Sequence, residues 1–165
     1  MTSNTQDIQD DIYPQLDQLF NAQTVRAMLS VSDWQDALQT VGRLLVDSGG
    51  TLPGYVSAME RVVRELGPYA VLAPGIVLLH ARPEDGVLQP CMGMVTLATP
   101  VNFGHSQNDP VDIVLALGAV DKKTHIQALQ QLAGFLGDPA FLSTLRAAKN
   151  TPALLAVIHS WVSVS

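Results

Sequence analysis

Hydrophobic and polar positions divide the chain into a helical first part, a block of strands and a helical last part. Residues 1–13 are polar and acidic and read as a flexible solvated tail, with a partly helical stretch through Phe20. Residues 25–31 form a loosely alternating apolar run, the first expected strand. Ser32 and Gln35 then stand three apart in a capping-box pattern, ahead of an apolar stripe at Trp34, Ala37, Leu38, Val41, Leu44 and Leu45. Gly49-Gly50 ends that helix. Pro53 opens a second, where a missing N–H costs nothing, with Val56, Met59, Val62, Val63 and Leu66 on its buried side. Gly67-Pro68 stops it.

The period then changes. Residues 69–72, 75–79, 92–101 and 111–120 are short runs rich in valine, leucine and isoleucine, separated by turn formers. The run from Val111 to Leu117 is almost continuously apolar and predicts a central strand covered on both faces. Ile126, Leu129, Leu132, Ala133 and Leu136 mark the next helix, closed by Gly137. Phe141, Leu142 and Leu145 begin another, and residues 152–162 read as a last helix. The expected fold is therefore α/β, with the sheet between helices, in the order roughly β-α-α-β-β-β-α-α-α. Without repeats or linkers, residues 14–165 read as one domain.

Composition narrows the function. Of 165 residues 47% are hydrophobic and 15% charged, which suits a packed globular core. Fifteen acidic residues against nine basic ones give a net charge of −6, and the longest basic run is Lys122-Lys123, which argues against nucleic acid and for a basic protein partner. The single cysteine, Cys91, excludes an internal disulfide and favours a reducing compartment. No signal peptide is expected, and no apolar run is long enough to insert in a membrane; the expected location is cytoplasmic.

Chemistry concentrates on three residues. His80 closes an apolar run and opens the turn Ala81-Arg82-Pro83-Glu84-Asp85-Gly86, which carries its imidazole from a buried strand to a solvent-accessible rim. Imidazole is a nucleophile near neutral pH, and its second nitrogen is available for a fixing hydrogen bond. The alternative for His80 is a structural role. His125 falls in the first turn of a helix whose N-cap is Asp121, where the positive helix end favours a neutral ring and an anion beside it. Its alternative is packing beside Leu129 and Leu132. Arg64 precedes His80 by sixteen positions and is a candidate for fixing phosphate oxygens; its alternative is an exposed pair with Glu60.

Other chemistries lose ground. His80, His105 and His125 lack the paired spacing of zinc ligands, so no metal is expected. A phosphate-binding Gly-x-x-x-x-Gly-Lys loop and a Gly-x-Ser-x-Gly elbow are absent. Cys91 reads as a small core residue, His105 as a loop residue and His159 as a packed one.

From about Ile12 to the C-terminus the chain resembles the enzyme IIA component of the bacterial phosphoenolpyruvate-dependent sugar phosphotransferase system (PTS), in its mannitol/fructose-type superfamily. The residues that carry the resemblance are Ser32 to Leu38, Arg64-Glu65 with the step to His80, Asn108 to Asp112, and Val120 to His125. Glu65-Leu66-Gly67-Pro68-Tyr69 and His80 to Val87 look most like the ascorbate-type branch. One departure is Leu79, where many members have proline before the active histidine.

The resemblance implies a three-layer α/β/α sandwich around a small mixed sheet and a phosphotransferase needing no cofactor. His80 would be phosphorylated by phospho-HPr and would pass the group to a cysteine of a IIB protein or domain, which works with a membrane IIC. His125 would stabilise the phosphoryl group and Arg64 its charge. Leu78, Leu79 and Val87 would form an apolar rim for HPr, with Glu84 and Asp85 steering its basic surface. The alternative is a regulatory module of the same fold, whose phosphorylation state signals to another protein. A binding protein without phosphoryl chemistry is the third reading.

Overall fold

The computed structural model describes residues 19–164; the tail expected over residues 1–13 lies outside them. The elements are β1 (Val25–Leu29), α1 (Trp34–Asp47), α2 (Gly54–Leu66), β2 (Val71–Ala73), β3 (Ile76–His80), β4 (Cys91–Val101), β5 (Val111–Gly118), α3 (Lys122–Leu136), α4 (Pro139–Ala147) and α5 (Thr151–Val164). The block holds four strands, one for each of the four apolar runs and one more than the expected order counts, and β2 and β3 pair antiparallel across Pro74-Gly75. The five strands lie in the order β1-β4-β5-β3-β2. β1 and β4 are parallel, β4 and β5 antiparallel, and β5 and β3 parallel. The expected mixed sheet is present.

Strand alternation sends the apolar side chains to two cores. Ile76, Leu78, Ile113, Leu115 and Leu117 face Leu132, Phe135, Leu145 and Ile158 of α3, α4 and α5. Val77, Leu79, Val114 and Ala116 face Leu38, Val41, Leu45 and Met59 of α1 and α2. These near-continuous apolar runs are what a strand covered on both faces requires, and they produce the three layers. They also remove Leu78 and Leu79 from the expected rim: the two are 1% and 0% exposed.

Two local boundaries differ from those the pattern predicts. The cap of α1 is Asp33, not Ser32: its carboxylate accepts from the Asp36 amide at 2.8 Å. Ser32 donates its own amide to Asp36 Oδ2 at 2.9 Å, so Asp36 rather than Gln35 holds the residue before the cap. β1 stops at Leu29, two residues short of the expected run, and inside it Met28 turns into left-handed backbone with φ 57° where the register with β4 shifts. Side-chain hydroxyls take over the ladder, Thr151 Oγ1 accepting from the Ala27 amide and Thr96 Oγ1 from that of Met28.

The register of β3 on β5 places the site. Five consecutive pairs run from Ile76–Ile113 to His80–Leu117. The two parallel strands therefore end together, one delivering His80 and the other leading through Ala119 to α3.

Candidate active site

His80 ends β3 half-buried, and His125 stands half-buried in the first turn of α3. Their ring centroids are 5.0 Å apart with planes at 49°. Asp121 fixes the start of α3 by accepting from the Thr124 amide at 2.8 Å while Thr124 Oγ1 accepts from the Asp121 amide at 3.2 Å. The Thr124 hydroxyl, which donates to the same carboxylate, and then the Thr124 amide hold the Asp121 carboxyl below its ordinary range. Both histidines lie on the elements the pattern gives them, a strand end and a first helical turn.

His80 Nδ1 faces the carbonyl of Leu78 at 3.4 Å. A carbonyl only accepts, so the contact is satisfied by the tautomer with the proton on Nδ1, which leaves the lone pair on Nε2. Burial first, and then the neighbouring His80, lower the pKa of His125 below its usual value of 6.5. A neutral His125 donates one hydrogen bond and adds no charge of its own.

The remaining histidines are occupied. His105 Nδ1 accepts from the amides of Gln107 and Asn108 at 3.1 and 3.0 Å. His159 Nε2 contacts the carbonyl of Phe20 at 3.1 Å. Both serve the backbone, as expected of a loop histidine and a packed one. Cys91 is buried, and burial pushes its thiol up to about 12, so it is protonated at neutral pH.

The histidine pair opens into a cleft of about 560 Å³. One wall is α2, which contributes Ala58, Arg61, Val62, Glu65 and Leu66, a single face at helical spacing. The loop after β3 adds Arg82, Pro83 and Asp85, and the start of α3 adds Lys122. Arg82 Nε lies 3.4 Å from Asp85 Oδ2 and 3.6 Å from Glu84 Oε1. The Asp85 carboxyl is held low mainly by the Arg82 amide, with a contribution from the Arg61 charge.

Arg64 is not brought into this cleft. It lies one position off the cleft-facing stripe of α2, where Nε reaches Glu60 at 3.4 Å and the guanidinium sits 5.5 Å from the centre of the Trp34 ring. The cations that do face the cleft are Arg61, Arg82 and Lys122. The 58/61/62/65 spacing is the signal that separates Arg61 from Arg64, because residues three or four apart share a helix face.

Tyr55 is the other residue that the sequence left unmarked. It is fully buried, and its hydroxyl accepts from the amide of Ala81 at 3.0 Å and donates to the carbonyl of Leu117 at 2.6 Å. Burial pushes this phenol up to about 12.

Exposed apolar side chains do lie near the histidines, in the cleft at Leu66 and in an adjoining hollow at Tyr69 and Leu72, and Leu78 and Leu79 are not among them. Leu66, Tyr69 and Leu72 are 59%, 82% and 50% exposed on the α2–β2 side, and Ile126 is 54% exposed beside His125. Among the described residues no helix is long and apolar enough to cross a membrane, and no three metal-ligating side chains converge.

A layered α/β domain with two tilted histidine rings beside a cleft that Arg61, Arg82 and Lys122 help to line is the class of protein that the fold and the cleft define. Residues 18–161 match the family model described as phosphoenolpyruvate-dependent sugar phosphotransferase system, EIIA 2, and the chain belongs to that family. The ascorbate-specific PTS system EIIA component of Salmonella typhi is 36% identical over 143 residues, spanning 86% of this chain and 93% of the relative. The solution structure of the mannitol-specific cryptic phosphotransferase enzyme IIA CmtB from Escherichia coli is 30% identical with a TM-score of 0.74, covering 90% and 95% of the two chains. The complex of enzyme IIAMTL and phosphorylated enzyme IIBMTL from Escherichia coli shares the fold at 23% identity and a TM-score of 0.74, over 86% of this chain and 97% of that one.

Proposed function

We propose that this protein is a cytoplasmic phosphocarrier that takes a phosphoryl group from the phosphohistidine of HPr onto His80 and delivers it to a cysteine of a IIB partner. The observation that carries this reading is the pairing of His80 with His125 at 5.0 Å inside a cleft lined by Arg61, Arg82 and Lys122. The ascorbate-specific relative supports uptake of ascorbate or a related sugar, with a membrane IIC completing the system. A IIB partner is supported by the IIAMTL–IIBMTL complex, whose IIA has this fold.

In the first step the Nε2 lone pair of His80 attacks phosphorus opposite the donor nitrogen. A new N–P bond forms as the donor's N–P bond breaks, and the donor imidazole keeps the released electron pair. Nδ1 of His80 holds its proton toward the Leu78 carbonyl, which fixes the ring and offsets the charge that develops on it. His125 donates a hydrogen bond to the equatorial oxygens, and Arg61 balances their charge in the place first assigned to Arg64. In the second step a IIB thiolate attacks the same phosphorus, and His80 leaves with its lone pair restored. Positioning and charge supply the catalysis, so the cleft requires no metal.

The test is labelling from radioactive phosphoenolpyruvate with enzyme I and HPr. The expected product is acid-labile, base-stable phosphohistidine, absent from His80→Ala and present but transferred more slowly in His125→Ala. Undiminished labelling of His80→Ala would overturn the assignment.

A further inference from the structure

The last rung of the β3–β5 ladder is His80–Leu117. Beyond it the strands no longer pair, yet Ala81 is only 8% exposed and its amide needs a partner. The Tyr55 hydroxyl supplies one. It accepts from Ala81 at 3.0 Å and gives its proton to Leu117 at 2.6 Å, taking the place of the next direct bond between the strands. The Ala81 carbonyl, at 3.3 Å, is the more distant acceptor.

This one oxygen joins the three elements that build the cleft. Tyr55 belongs to α2, which carries Arg61 six residues further on; Ala81 follows His80; Leu117 is the last residue but one of the strand that feeds α3 and His125. We infer that Tyr55 is a positioning residue, whose hydroxyl sets the distance and angle of His80 relative to His125 and Arg61. The inference rests on the phosphocarrier reading of the same cleft. Because the hydroxyl has a single proton and two committed backbone partners, phenylalanine fills the same volume but leaves an amide and a carbonyl buried without their partner. The strands then have to move together or apart, and His80 moves with them.

The experiment compares wild type, Tyr55→Phe, a protein carrying 3-fluorotyrosine at position 55, and the remote core variant Ile158→Val. The expected result for Tyr55→Phe is transfer from phospho-HPr about tenfold slower at saturation, with half-saturation changed by less than about twofold. The imidazole NMR resonances of His80 and His125 should both shift. The fluorotyrosine protein, which keeps the hydroxyl, should recover the rate, and Ile158→Val should keep rate and resonances. A Tyr55→Phe protein with wild-type rate and imidazole resonances overturns the inference while leaving the phosphocarrier reading intact. A wild type that takes up no phosphoryl group overturns both. Should Tyr55→Phe fail to fold, amide exchange in the wild type decides: protection of Ala81 equal to that of Leu79 supports the bridge, and exchange at the rate of an open loop overturns it.

Discussion

His80 and Leu117 are partners across the final step of a parallel ladder, so the histidine and the strand leading to His125 leave the sheet side by side. Their nearness in space is a product of register, since 45 positions separate the two histidines in the chain (125 − 80). That relationship makes the electrostatics of the pair measurable.

The first prediction concerns pH. The folded pKa of His125 lies below 6.5, by burial and then by the His80 charge. Between the folded and unfolded values the unfolded chain binds more protons, so this residue makes stability rise with pH. Its penalty is absent well above 6.5, grows as pH falls through the unfolded value and is complete below the folded one. Denaturant midpoints measured from about pH 5 to 8 should fall less steeply toward acid in His125→Gln than in the wild type. Equal slopes would contradict the assignment.

Arg61 and Arg64 make an internal comparison. Arg61→Gln should slow transfer to His80 by roughly 10- to 100-fold, the equivalent of losing one charge-assisted contact. Arg64→Gln, which gives up an exposed pair with Glu60 and a contact with Trp34, should stay within about threefold. Single-turnover labelling from phospho-HPr distinguishes them. The reverse order would restore Arg64 to the site.

Cys91 and Gly118 should be energetically coupled. A Cβ on Gly118 would meet Cys91 Sγ at 2.6 Å, with other neighbours at 3.4 Å or more. Gly118→Ala is therefore expected to cost about 1–3 kcal/mol, and Cys91→Ala in the same chain to recover most of it. Gly50→Ala should not be rescued as well, because there the clash at 2.7 Å includes Cys91 Cβ, which alanine retains. Urea denaturation of the single and double variants gives the coupling.

The same thiol should be chemically silent. With a pKa near 12 and a buried sulfur, Cys91 is expected to react with a disulfide reagent at about pH 8 only as fast as the protein opens. Stoichiometric labelling within seconds of mixing the native protein would refute this.

The end of the sheet opposite the cleft offers a further test. Arg146 grips Asp112 through two bonds of 2.9 and 3.1 Å and also reaches the Pro74 carbonyl. Gly75 lies beneath that clamp with φ 78°, and a Cβ there would sit 2.7 Å from both Arg146 Nη2 and Asp112 Oδ1. Gly75→Ala should destabilise by about 2–3 kcal/mol, more than Arg146→Met, whose half-exposed ion pair is worth about 1 kcal/mol. Thermal melts of the two variants check the order.

Most of the architecture is legible in the chain because its strands are apolar on both faces and its helices on one. The runs around Val77 and Val114 announce a covered sheet, and Asp121 announces the helix that brings His125 forward. What the pattern could not supply is direction. Arg61 and Arg64 are equivalent as residue types, and only the rotation of α2 against the sheet tells which one faces the histidines. Leu78 and Leu79 adjoin His80 in sequence, but alternation buries one in each core, and the exposed apolar rim comes from α2, the β2 edge and α3 instead. Tyr55 was silent for a related reason: its apolar body fits a core stripe, and the use of its oxygen depends on where two strands part.

The parallel exit of β3 and β5 has a consequence for repeated use. A carrier is loaded and emptied many times, and any reordering of its site would be charged to each cycle. Here one imidazole hangs from the end of β3 and the other from the helix that follows the neighbouring end of β5, so the strand register sets how the two stand to each other. On the phosphocarrier reading proposed above, visiting proteins would meet a seat already formed, and turnover would be left to the chemistry they bring.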